Sequence, residues 1–273
     1  MIRVISDGRL GNQMFQYAFA IATAKQFNTT FQLEFVHHKD EVADWFNIKE
    51  ILQPLIATPL EQWIFKQRSR LLQKNFLEED MRLFYPDLSN HCTYKGFFQN
   101  EQYFAQVAPF IKEVFQLQPQ WKTAFEKVKF QYDFDNSIVV HARLRDYITW
   151  GNDELGGMDL SLPTSYYINA MTQLGATTNT PVILISDDEA YAQERLSFLK
   201  NLVVFSHGSQ LSFQAMLEAK RLVISNSTFA WWAAWLNSHQ PQVMAPQHWL
   251  GFKIGQEYPQ GILPASFTPV PVY

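Results

Sequence analysis

The chain has one cysteine among 273 residues, Cys92, so no disulfide can form within it. That suits a reducing compartment, and Cys92 reads as a small buried apolar residue. No Cys and His stand at zinc spacing, and the adjacent pair His37-His38 is poorly arranged to chelate one ion. No apolar run approaches the about 18 residues of a membrane span. The start, Met1 to Gly8, lacks the apolar stretch and cleavage site of a secretory signal. These absences lead us to expect a cytoplasmic protein, with loose attachment at the inner face of the plasma membrane left open. Charged residues are few, at 18%, and the net charge is −4. The chain therefore has no global attraction for a polyanion, which argues against nucleic acid as a partner. Internal repeats and low-complexity segments are also missing.

Apolar residues are plentiful, at 47%, and include 23 Phe, 11 Tyr and 8 Trp. Most of these rings are expected in the core, because aromatic side chains dominate core burial. A minority can present a flat face to a sugar.

The opening reads as strand, glycine loop, helix and strand: Ile2 to Ser6, Gly8 to Asn12, Gln13 to Phe27, then Phe31 to Phe35. The helix is apolar on nearly every side and so should be buried. Ile51 to Leu77 has helical spacing interrupted by Pro54 and Pro59, and predicts helices with a break. Tyr94 to Phe98 predicts a strand and Glu101 to Phe115 a helix.

The second half alternates more clearly. Strands are expected at Ile138–His141, Val182–Ser186, Leu202–Phe205, Leu222–Ser225 and Val243–Ala245. Helices are expected at Pro163–Leu174 (capped by Ser161 or Thr164), Glu189–Leu199, Ser212–Lys220 and from Phe229 to Leu236. Apolar strands alternating with helices imply parallel sheets covered on both faces. The class is α/β with two units, the boundary falling between residues 118 and 136. We draw it as 1–125 and 126–273. The tail, with Pro259, Pro264, Pro269 and Pro271, reads as an irregular strap.

Parallel sheets bind ligands at the carboxyl ends of their strands. Four such ends carry chemistry here. Gly8-Arg9-Leu10-Gly11-Asn12-Gln13 is either a tight turn or a loop that brings backbone N–H groups to an anion. It is neither a dinucleotide fingerprint nor a Walker loop. His141-Ala142-Arg143-Leu144-Arg145-Asp146 places cations directly after a buried strand. If the strand continued, His141, Arg143 and Arg145 would share one side, and Arg suits a diphosphate. The bland reading is a surface ion pair between Arg145 and Asp146. Ser186-Asp187-Asp188 either caps a helix or accepts hydrogen bonds from a base or ribose. Asn226, Ser227, Thr228 and Phe229, after Ser225, either cap the next helix or hold a phosphate at its positive end. Trp231 and Trp232 beyond them read as core. Together the four ends describe a site for a nucleoside diphosphate. No Asp-x-Asp pair occurs among them, so we expect no metal and no other cofactor, with Arg143 neutralising the leaving diphosphate.

Three segments resemble the bacterial α-1,2-fucosyltransferases of glycosyltransferase family 11. Gly8 to Ala18 is similar to that family's GGLGNQMFQYA start, Gly96 to Phe104 to its G-Y/F-F/W-Q-S-E-x-Y-F segment, and Ser225 to Asn237 to its NSSFSWWGAWLN stretch. The resemblance runs nearly end to end. It departs at the arginine motif, H-x-R-R-x-D, whose first Arg is Arg143 and whose second position is Leu144. Arg145 stands where a small residue is usual.

The resemblance implies a GT-B architecture, two Rossmann-like domains facing a cleft, with the acceptor on the N-terminal side and the donor on the C-terminal side. It implies inverting transfer of L-fucose from GDP-β-L-fucose to the 2-hydroxyl of a terminal β-galactoside, in an oligosaccharide or a lipid-linked glycan. It assigns the donor phosphate to Arg143. We expect Gly11 and Asn12, with Asp146, Ser186, Asp187, Asp188, Asn226, Ser227, Thr228 and Phe229, to line the donor site. His141 is a candidate general base and Asp7 another. Acceptor preference is expected to lie within residues 36–95 and 148–162. A transferase of different linkage or acceptor, or a glycan-binding protein without catalysis, are the alternatives.

Overall fold

The computed structural model describes residues 1–72, 74–78, 81 and 83–273. They form two compact units: Met1–Gln118 with Pro259–Ile262, and Pro119–Tyr258 with Leu263–Tyr273. The boundary drawn after residue 125 falls inside a helix, Pro119–Lys129.

The first unit is built on strands β1 (Ile2–Ser6), β2 (Phe31–Phe35), β3 (Lys74–Leu77) and β4 (Cys92–Lys95), all parallel, in the order β2-β1-β4-β3. Helix α1 (Leu10–Gln26) packs against them and is buried from Leu10 to Ala24 except at Asn12. Its alternating Ala residues allow close approach, while Phe15 and Phe19 fill the space beside Phe98, Tyr94 and Phe104. Short helices α2 (Glu41–Trp45) and α3 (Lys49–Leu52), then α4 (Pro59–Leu72) and α5 (Ala108–Val114), complete the unit.

Two expectations need correction here. Ile51–Leu77 is not helical throughout: Pro59 begins α4, where its missing N–H costs nothing, and Lys74–Leu77 is a strand. Gln73, in that stretch, lies outside the described residues, as do Glu79, Asp80 and Arg82 in the region expected to select acceptors. Glu101–Phe115 is not one helix. It forms two short 3-10 turns before α5, and Pro109, which has no N–H to give an interior helix position, sits in the first turn of α5, where none is needed.

The second unit contains α6 (Pro119–Lys129), β5 (Ile138–Ala142), α7 (Thr164–Gln173), β6 (Val182–Ser186), α8 (Glu189–Arg195), β7 (Leu202–Val204), α9 (Ser209–Glu218), β8 (Arg221–Val223), α10 (Thr228–Leu236), β9 (Gln242–Pro246) and β10 (Phe267–Val270). Its strands are parallel in the order β7-β6-β5-β8-β9-β10. That is the 3-2-1-4-5-6 arrangement of a Rossmann fold, whose ligand crevice opens where the order reverses, between β5 and β8. The tail expected to be an irregular strap is thus the sixth strand. Pro269 is tolerated there because β10 lies at the sheet edge, where a missing donor breaks no ladder. Neither Ser161 nor Thr164 caps α7, whose cap position is Pro163 without a side-chain bond.

Helix α10 is apolar all round. Trp231 and Trp232 are fully buried, with ring centroids 4.9 Å apart, so both belong to the core as read from sequence. Two Rossmann-like units in one chain constitute the GT-B class. Among the described residues, no helix is long and apolar enough to cross a membrane.

Candidate active site

In the first unit, the ends of β1 and β4 meet at the point where strand order reverses. The loop after β1 carries Gly8, at φ +82°, a conformation that favours glycine. A Cβ there would lie 2.5 Å from Asn12 Nδ2, so glycine is required twice over. Gly11 is buried within α1, and Asn12, half-buried, accepts a hydrogen bond from Gln99 Nε2 at 3.0 Å. Gln16 ties the same two loops together. It accepts from Ser6 Oγ at 2.7 Å and donates to the Gly96 carbonyl at 2.9 Å. The first and second sequence motifs therefore form one hydrogen-bonded surface.

Phe98 in that surface has φ +52°, a strained value for a residue with a Cβ. The penalty of about 1–2 kcal/mol is offset by complete burial of the ring, worth roughly 1.5–3 kcal/mol. Phe98 stacks on Phe19 at 3.8 Å between centroids. The turn is held by Glu78, which accepts from the N–H groups of Phe97 at 2.6 Å and Phe98 at 3.0 Å. Burial raises the Glu78 pKa, against the opposing pull of those two N–H groups. Glu78 lies outside every motif, and no sequence signal marks it.

Asp7, following β1, accepts from the Gly8 N–H at 2.7 Å and faces His37 Nδ1 at 3.0 Å and His38 Nδ1 at 3.3 Å. Burial alone would raise its pKa; the bonds from His37, Gly8 and His38 outweigh it and keep the carboxylate ionised more readily than usual.

In the second unit, strand β5 stops at Ala142, so the residues after it do not continue its alternation. His141, Arg143 and Arg145 do not share one face. His141 is 4% exposed, whereas the Arg143 side chain is 30% exposed and Arg145 is exposed. His141 Nδ1 lies 2.9 Å from Ser225 Oγ, a bond that joins the end of β5 to the residues after β8. Burial, with the charge of Arg143, pushes the imidazole pKa down to about 3. A buried, neutral imidazole that weak suits a structural brace better than a base.

Arg143 makes a two-pronged pair with Asp146, Nε to Oδ1 at 2.9 Å and Nη2 to Oδ2 at 2.8 Å. The surface pair weighed as the bland alternative, Arg145 with Asp146, is not the one formed: Asp146 pairs with Arg143. Arg143 Nε is also 3.4 Å from Asp187 Oδ2, and Asp187 Oδ1 accepts from the Leu144 N–H at 2.8 Å. Asp187 therefore fixes the arginine loop. Leu144 is buried in the core with Leu162, Tyr166 and Val223, which leaves Arg145 as the second exposed cation of the motif. Asp188 caps α8 by accepting from the Tyr191 N–H at 3.1 Å, and Ser186 closes a small turn with the Asp188 backbone. Both acidic residues are thus engaged in structure.

Across the sheet reversal, Ser227 is the cap residue of α10, yet its side chain makes no capping bond, and no acidic residue occupies the first turn. Such a helix start favours an anion. Thr228 and Phe229 open the helix and are half-buried. Asn226, expected to touch a ligand, is fully enclosed and donates to the Leu160 carbonyl at 2.9 Å. Its own carbonyl accepts from Tyr147 Oη at 2.9 Å. Tyr147 was not singled out in the sequence, although it directly follows the arginine motif.

Tyr147 begins a closed loop. The Leu160 N–H donates to the Tyr147 carbonyl at 2.7 Å and the Gly151 N–H to the Met158 carbonyl at 2.6 Å. A side chain at Gly151 would collide with the Gly157 carbonyl. Trp150 in this loop is 55% exposed and lies nearly parallel to the Tyr147 ring, at 5.8 Å and 17°. The Arg143 guanidinium is 5.7 Å from the same Tyr147 ring. The exposed indole and the guanidinium thus share Tyr147 as a neighbour. Among the described residues, no group of three or more His, Cys, Asp or Glu is placed to hold a metal ion.

Comparison with known proteins agrees with this geometry. The profile of glycosyl transferase family 11 matches residues 1–254. The chain is 26% identical to an α-1,2-colitosyltransferase of Escherichia coli over 269 residues, covering 89% of this chain and 90% of that one. It is also 26% identical to the O-antigen biosynthesis glycosyltransferase WbnK of Escherichia coli, over 89% and 93% of the two chains. The crystal structure of the fucosyltransferase NodZ from Bradyrhizobium shares the fold, with a TM-score of 0.52 at 14% identity over 85% of this chain and 91% of that one. Motif spacing, strand order and the family match converge: the chain is a glycosyltransferase and belongs to glycosyl transferase family 11.

Proposed function

We propose that this protein transfers L-fucose from GDP-β-L-fucose to the 2-hydroxyl of a terminal β-galactoside, with inversion and without a metal ion. One observation carries the donor side of this reading. The Arg143 fork and the start of α10, where no acidic side chain lies in the first turn, flank the β5–β8 reversal of a Rossmann sheet, braced to each other by the His141–Ser225 bond. Both features favour a diphosphate, and their charge and dipole can neutralise the leaving group. Asp146 and Asp187 then orient Arg143, while Ser227 and Thr228 sit at the phosphate end.

The first unit carries the candidate base. Asp7 is our candidate for the base that takes the acceptor proton, since its carboxylate is ionised and 39% exposed. Trp150 offers the face of its ring to the apolar side of an acceptor sugar. A second reading, transfer of colitose rather than fucose, is favoured by the named activity of one relative. The test is incubation with GDP-fucose and other GDP-sugars, a panel of β-galactosides and EDTA, followed by linkage analysis. An α-1,2-fucosylated product formed in EDTA supports the proposal. A different donor or linkage replaces it, and failure to bind GDP leaves glycan binding without catalysis.

A further inference from the structure

We propose that the outer face of helix α4 is a docking surface for an anionic lipid membrane. Leu60 is 65% exposed, Trp63 59% and Ile64 36%, and Ile56, just ahead of the helix, is 41% exposed. Positions 60, 63 and 64 form one stripe on a helix. Lys66 follows Trp63 by three residues and Arg68 follows Ile64 by four, so an exposed cation flanks the stripe on each side. The opposite face is already committed. Phe65 is buried with Met1 and Ala57, and Gln62 donates to the Ala57 carbonyl at 2.8 Å. Glu61, the acid of the first turn, accepts from Thr58 and Thr30 and stays ionised, one position from Gln62 on the committed side of the helix, so the two cations face a single carboxylate.

An apolar stripe with an interfacial Trp and basic flanks is the pattern of a helix lying in the membrane interface. The whole chain carries net charge −4, so a lipid surface of like sign would repel it in general. Attraction has to come from a local cationic patch, and α4 provides one. A second copy of the chain is a poorer occupant, because pairing this face with itself would bring Lys66 and Arg68 toward their own counterparts. The proposal goes beyond the transferase reading: it assigns where the enzyme works, at the surface that would present a lipid-linked acceptor.

The test is co-sedimentation of the full chain with vesicles of phosphatidylcholine alone and of phosphatidylcholine with one-third phosphatidylglycerol, without any sugar nucleotide. We expect binding to the anionic vesicles only, weakened at high salt. The double variants Leu60→Gln/Trp63→Gln and Lys66→Glu/Arg68→Glu should each reduce partitioning at least tenfold while keeping the wild-type melting temperature. No binding to anionic vesicles, or binding unchanged in both variants, would overturn the proposal. So would a protein dimer abolished by the first variant, which would assign the face to a second copy. Because no donor is present, failure here and failure of the transferase reading are distinguishable.

Discussion

The ring of His141 and the hydroxyl of Ser225 lie 2.9 Å apart, and this one bond links the end of β5 to the segment before α10. A buried imidazole with its pKa lowered to about 3 has a definite consequence for stability. Below about pH 6.5 the unfolded chain takes up a proton that the folded chain refuses, so stability falls as pH drops from there toward 3. By pH 5 the loss from this residue amounts to ~2 kcal/mol. Urea unfolding of the wild type and of His141→Gln, at neutral pH and pH 5, should show a smaller acid loss in the variant. The pH–rate profile of transfer between about pH 6 and 8 should be unmoved by the same change. A profile that shifts in His141→Gln would restore this residue as the base.

Arg143 is the strongest single test of the donor site. Its fork to Asp146 and contact with Asp187 leave it pre-oriented, and an oriented charge is worth more than a mobile one. Arg143→Ala should lower kcat/KM by ~100-fold or more and weaken GDP binding. Arg143→Lys keeps the charge but loses the fork, so it should recover only part of the loss. Asp187→Asn should act in the same direction and more mildly, through the arginine loop. Near-normal turnover in Arg143→Ala would remove the assignment.

Much of the second unit was legible because its strands are continuous apolar runs between helical segments. Val182–Ser186 was readable to the residue and Ile138–Ala142 to within one; in the first unit the alternation of Phe31–Phe35 marked that strand equally well. Strand order was not readable, since nothing local in Leu222 or Val243 specifies a neighbour. The edge strand Phe267–Val270 was hidden by its proline, whose effect depends on sheet position rather than sequence. At the site, Arg143 was visible from its place after a strand. The cap at Asp188 was one of the two roles that its place before a helix offered. The enclosure of Asn226 and His141, and the engagement of Asp187, were not visible. Those outcomes depend on the Tyr147–Leu160 loop and on Leu144 turning into the core, which only tertiary packing decides.

Glu78 provides a stability test outside the motifs. It satisfies two backbone N–H groups at the turn that aims Phe98 into the core. Glu78→Ala leaves both without that partner and should cost about 2 kcal/mol. Glu78→Gln keeps an acceptor and removes a half-buried charge, so its cost should stay below about 1 kcal/mol. Chemical denaturation of the two variants at neutral pH checks the order. Equal losses would mean that the carboxylate charge, rather than the hydrogen bonds, holds the turn.

Trp150 tests the acceptor side. It is the exposed partner of a parallel ring pair whose inner member, Tyr147, is fastened to the Asn226 carbonyl. Truncating an exposed ring leaves no cavity, so Trp150→Ala should melt within a degree or two of the wild type. If the indole receives an acceptor sugar, the loss is one stacking contact of ~1 kcal/mol, and KM for the acceptor should rise roughly fivefold. That contact exists before and during transfer alike, so kcat should change little. Trp150→Phe keeps a ring and should recover most of the affinity. The dissociation constant for GDP decides between occupants of the face. Unchanged GDP affinity with weaker acceptor binding places the sugar on Trp150, whereas weaker GDP binding would mean that the ring stacks on guanine, and the acceptor would have to be sought elsewhere.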